Sequence, residues 1–111
     1  MREIAWVRAA LKDFGAFPGV AQNRIKDALA IASMGQKADI VKPMQGLGSG
    51  VFEIALPYRG GAYRAIYAVQ LGDAIWVVHA FQKKSVKGIA MSQREIELIK
   101  ARLTKLKEIL R

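Results

Sequence analysis

The side chains equipped for chemistry in this sequence are cations and aromatic rings gathered in its second half. Arg64 stands between Tyr63 and Tyr67, Arg59 follows Tyr58, and His79, Phe81, Lys83, Lys84 and Lys87 come within nine positions of one another. Such groups suit a phosphodiester. Cleavage of RNA by its own 2′-hydroxyl needs a base, a stabiliser for the phosphorane's charge and an acid for the departing 5′-oxygen. Arginine and lysine stabilise that charge without a metal, and aromatic side chains stack the bases of a single strand.

Each group also has a plainer use. Arg64 falls inside a strand-like stretch, where it could form a cross-strand ion pair with Glu53 as readily as bind a phosphate. His79 alternates with Ile75, Val77 and Phe81, and a lone histidine on such a face is commonly a hydrogen-bonded core group, although imidazole suits acid–base work. The pair Lys83-Lys84 leaves a strand end and would serve equally as a solvated loop.

Other chemistries lack their residues. One histidine, no cysteine and no run of acids leave no set of ligands for a catalytic metal, so no cofactor is expected. Ser33, Ser49, Ser85 and Ser92 lack a nucleophile-elbow context. No cluster of Glu and Asp offers the paired carboxylates of glycoside hydrolysis.

The charge points toward a polyanion. Eighteen basic residues oppose nine acidic ones, a net of +9. Residues 82–111 carry +6 of this and residues 1–81 only +3. Such a field draws nucleic acid by counterion release, and would also suit an acidic protein partner.

The elements that must position these groups follow from periodicity. Glu3 to Trp6 reads as a short edge strand leading into a helical stretch with Val7, Leu11 and Phe14 at helical spacing, ended by Gly15. Pro18 opens a second helix, with Ala21, Ile25, Ala28, Leu29 and Ala32 along one face, ending near Gly35. From Gln36 to Gly50 the pattern dissolves into a glycine-rich connection without a Walker signature. Three strands follow, Val51–Pro57, Ala62–Leu71 and Ala74–Phe81, joined by turns so short that neighbours must be antiparallel. In the first, Phe52, Ile54 and Leu56 alternate with Val51, Glu53 and Ala55. Gln82 to Gly88 reads as a basic loop. A last helix starts at a capping box, Ser92 with Glu95, and repeats Ile96, Ile99, Leu103, Leu106 and Leu110.

The expected fold is therefore one α+β domain over residues 1–111, a small antiparallel sheet with room for a mixed edge, two N-terminal helices and a C-terminal helix, packed on one face. No segment reaches the roughly 20 apolar residues of a membrane span, and Met1 to Trp6 does not resemble an export signal, so a cytoplasmic protein is expected.

Several stretches resemble one known family. They are Lys42-Pro43-Met44-Gln45-Gly46-Leu47-Gly48, Val51-Phe52-Glu53-Ile54, Tyr63-Arg64-Ala65-Ile66-Tyr67 and Val78-His79-Ala80-Phe81-Gln82-Lys83-Lys84-Ser85. In this order they are similar to the phage-derived HigB-like branch of the RelE/ParE toxin superfamily, over almost the whole chain. The resemblance implies a toxin of a type II toxin–antitoxin system, an endoribonuclease that cuts messenger RNA on the ribosome, held by a helix-turn-helix antitoxin. It implies that Arg64 acts at the scissile phosphate and that Lys84, with Lys83 beside it, supplies a second cation. RelE itself places lysines on the first strand of the hairpin series, where this chain has Glu53 and Ala55. Arg59 or Lys42 can substitute there, and His79 is the candidate base. Arg59, Tyr67, Phe81, Lys87 and Lys42 would contact RNA. Two alternatives stand beside this: a ParE-like inhibitor, which shares the fold and binds DNA gyrase, and a non-enzymatic RNA-binding or regulatory domain that keeps only the basic face.

Overall fold

Strand-forming residues at alternate positions and two amphipathic segments at helical spacing give the chain order β1 (Ile4–Trp6), α1 (Arg8–Gly15), α2 (Gly19–Ser33), β2 (Val41–Pro43), β3 (Val51–Tyr58), β4 (Gly61–Leu71), β5 (Ala74–Lys83) and α3 (Gln93–Ile109). The computed structural model describes residues 1–83 and 91–110. The five strands form one sheet in the order β1-β5-β4-β3-β2. β1 runs parallel to β5 and every other pair is antiparallel. This is the α+β fold expected, with its mixed edge.

Two expectations are corrected. The connection from Gln36 to Gly50 contains a strand, β2, whose three residues pair with Phe52 to Ile54. Three residues are too few to show a period, and Pro43 is tolerated because this strand lies at the sheet edge. The helices also do not share a face. Phe14, Phe17, Ala21, Ile25, Ala28 and Leu29 pack with Ile54, Leu56, Tyr63, Ala65 and Tyr67. Ile99, Leu103 and Leu106 of α3 pack on the opposite side, with Val51, Ile66, Ala68 and Val78. The cause lies in β4, whose residues from Tyr63 to Ala68 are buried on both faces and, Arg64 apart, apolar, so both faces need cover.

The central hairpin turns at Arg59 and Gly60, both with positive φ (47° and 81°), between paired Tyr58 and Gly61. Positive φ at both turn positions is the geometry that matches the strands' twist.

A bulge in β5 governs everything beyond it. Ile66 is opposite His79 while the next residue, Tyr67, is opposite Val77, so Val78 is the extra residue. One inserted residue reverses the alternation. Val77 therefore faces α1 and α2, whereas Val78 packs beneath α3. His79 also turns toward α3, away from the face of Ile75 and Val77 on which simple alternation placed it.

Candidate functional site

The α3-facing side of β3, β4 and β5 carries the polar residues that the sequence singled out. Glu53 and Ile66 are opposite one another, as are Ala55 and Arg64, so Glu53 and Arg64 are diagonal neighbours on one face. The Arg64 Nη1 donates to Glu53 Oε2 at 2.7 Å. Both residues are buried, 7% and 3% exposed. At the sheet edge, Lys42 Nζ lies 3.8 Å from Glu53 Oε1 with its side chain 61% exposed. Glu53 thus stands between a buried cation and a solvated one.

Across the other strand pair, Phe81 is directly opposite Arg64. Its ring stacks on His79, centroids 4.9 Å apart and planes 19° apart. His79 is itself held from α3 on both sides. Its Nε2 lies 3.0 Å from Glu95 Oε2, and Arg102 Nη1 lies 3.1 Å from its Nδ1. A guanidinium only donates, so Nδ1 must accept and Nε2 carries the proton toward Glu95. The same Nη1 donates to the carbonyl of Val78, the bulge residue, at 2.9 Å. His79 is therefore a buried link between sheet and helix, with both ring nitrogens engaged.

This explains the start of α3. Ser92 Oγ accepts from the Glu95 N–H, half of the expected capping box. The Glu95 carboxylate, which would complete the box, meets His79 instead.

The remaining residues divide by place. Lys83 ends β5 opposite Ala62, two positions past Phe81 and on the same side by alternation. Arg59 is exposed at the hairpin tip at that end of the sheet, its guanidinium 5.3 Å from the centre of the Tyr58 ring. Tyr67 is corrected as an RNA contact. It is 2% exposed, packs in the core beneath α1 and α2, and stacks on Phe52 at 5.4 Å. Burial pushes its phenol up to about 12, since the phenolate would be poorly solvated there. A base cannot reach it. Lys84 and Lys87 lie outside the described residues.

The sequence reading missed Glu95 and Arg102 as part of this arrangement. Glu95 was legible only as a cap, and nothing in the spacing of Arg102 distinguishes it from the solvated cations of α3. Among the described residues no three His, Asp or Glu side chains gather as a metal site would require. No helix among them is long and apolar enough to cross a membrane.

Residues 12–104 match the model of the family described as phage-derived protein Gp49-like. Among curated proteins none matches the sequence. Two solved structures share the fold. One is an arginine-to-alanine double mutant of the E. coli toxin RelE in the free state, with TM-score 0.62 and 15% identity over 94% of this chain and 95% of that one. The other is the isolated E. coli RelE toxin, with TM-score 0.60 and 19% identity over 91% of this chain and 98% of that one.

Proposed function

We propose, on the premise that this chain belongs to the phage-derived Gp49-like family and has the fold of the RelE toxin, that it is a toxin of a toxin–antitoxin pair. Its activity is metal-independent cleavage of messenger RNA on the ribosome, in the cytoplasm, and a helix-turn-helix antitoxin restrains it. The observation that carries this reading is the grouping of Arg64, Glu53 and Phe81 on one face.

A phosphodiester at Arg64 exchanges the carboxylate of Glu53 for a phosphate as the partner of the guanidinium, a charge-assisted and commonly bidentate contact. The exchange releases Glu53 to take the proton of the ribose 2′-hydroxyl. The 2′-oxygen forms a bond to phosphorus, the bond to the 5′-oxygen breaks, and Lys83 gives that oxygen its proton. The products are a 2′,3′-cyclic phosphate and a 5′-hydroxyl. Arg64 stabilises the charge on the phosphorane oxygens. Glu53 is preferred over His79 as the base because the accepting nitrogen of His79 is already occupied by Arg102.

Expression without an antitoxin should arrest growth, and primer extension should reveal breaks in translated messages. Arg64→Lys, which keeps the charge but loses the fork, should abolish both while the protein stays folded. DNA damage with intact messages would overturn the reading in favour of gyrase. Harmless expression with salt-sensitive RNA binding would overturn it in favour of a non-catalytic domain.

A further inference from the structure

Each of the three residues of β2 has a separate task. Val41 packs into the core beneath α1 and α2. By alternation Lys42 faces the other way, directly opposite Glu53. The Met44 N–H donates to Val51 and the Ala55 N–H to Ile40, both at 2.9 Å, a pattern that turns the backbone of Lys42 inward to Glu53. On the outer side Pro43 has no N–H, and that of Val41 is taken by the Ala38 carbonyl at 3.1 Å. The edge therefore offers no donor to a further strand, and Lys42 stays at the solvent margin of the sheet. Lys42, Glu53 and Arg64 form a row across three strands. One buried carboxylate serves two cations, Arg64 on Oε2 at 2.7 Å and Lys42 at 3.8 Å from Oε1. At that separation and exposure the Lys42 pair adds little to stability.

We infer that Lys42 is a positioning residue for this site, which holds Glu53 ionised once an RNA phosphate has taken Arg64 from it. The inference rests on the proposed exchange of partners at Arg64. That exchange strips a carboxylate that is 3% exposed of its nearest counter-charge and sets a second anion beside it. Both changes favour the protonated acid, which can take no proton from a 2′-hydroxyl. Among the described residues the other ion-pair partner of Glu53 is Lys42. It approaches the other oxygen from the opposite strand, so the exchange leaves it in place. Lys42 thus acts through Glu53 rather than by gripping RNA.

The test has two arms, both on the full chain. In the first, carbon NMR follows the Glu53 carboxyl as an oligonucleotide with every 2′-hydroxyl methylated, and hence uncleavable, is added. The signal should keep its ionised position in the wild type and in Lys42→Arg, and move to the protonated position in Lys42→Met. In the second, cleavage of messages on programmed ribosomes is followed against toxin concentration. Lys42→Met should cut about tenfold more slowly at saturation with an unchanged half-saturating concentration, and Lys42→Arg should restore most of the rate. The Lys42 side chain is exposed, so neither variant endangers the fold. A carboxyl that stays ionised in Lys42→Met overturns the inference. So does a raised half-saturating concentration at full rate, the mark of a plain RNA contact. Arg64 signals undisturbed by the oligonucleotide overturn it too, since no exchange then occurs. The nuclease reading fails separately: uncut messages with the expected carbon signals leave the role of Lys42 standing, and cut messages without them remove that role alone.

Discussion

Arg64 and Glu53 meet at 2.7 Å across the diagonal of the β3–β4 pair, each almost sealed from solvent. Two charges withdrawn from water need one another, and the diagonal register supplies the contact. Glu53→Ala should therefore destabilise the fold by roughly 3–5 kcal/mol, the cost of leaving a buried guanidinium without its carboxylate. Chemical denaturation measures this directly. Glu53→Leu combined with Arg64→Met should recover most of the loss, since it removes both charges together. A loss below about 1 kcal/mol in the single variant would mean that the pair behaves as a surface one.

Arg102 ties α3 to the bulge through the Val78 carbonyl and the His79 ring. Arg102→Ala leaves two acceptors beneath the helix and should cost about 1–3 kcal/mol. Hydrogen exchange should quicken in the first turns of α3 before it changes in β3 or β4. Uniform protection in the variant would refute the tie.

Arg59 adopts φ 47°, a conformation in which a side chain is strained and glycine or asparagine is not. Arg59→Gly should raise stability by up to about 1 kcal/mol in thermal unfolding. The same change should weaken RNA binding and flatten its salt dependence, because an exposed cation is lost at the sheet end that carries Lys83. Higher stability with unaltered binding would remove Arg59 from the RNA contacts.

Tyr67 supplies a pH dependence with a definite sign. Its folded pKa of about 12 exceeds the unfolded value of 10.0, so between these values the unfolded chain releases a proton that the folded chain keeps. Its contribution is intact below pH 10 and is lost as pH rises toward 12, about 2–3 kcal/mol in all. Phenolate absorbance should show an ionisation step near 12 that Tyr67→Phe removes. The same titration curve in Tyr67→Phe would contradict the burial.

The sequence alone determined the elements whose pattern is local. The alternation of Val51 to Leu56 placed Glu53 and Val51 on one face, and the heptad-like spacing of Ile99, Leu103 and Leu106 placed α3 against the sheet. Ser92 announced the start of that helix. Only tertiary structure decided what depends on partners far along the chain. β2 exists because β3 offers an edge, and the two helical layers separate because β4 is buried on both sides and, Arg64 apart, apolar there. The inserted Val78 reverses alternation where no local signal marks it, which carries His79 from the α1–α2 face to Glu95 and Arg102. Tyr67 reads as a reachable ring in the sequence, yet the helices bury it, while Phe81 stays half-buried opposite Arg64. Residue type is local information. Which face a residue occupies beyond a bulge, and what covers that face, is decided by packing.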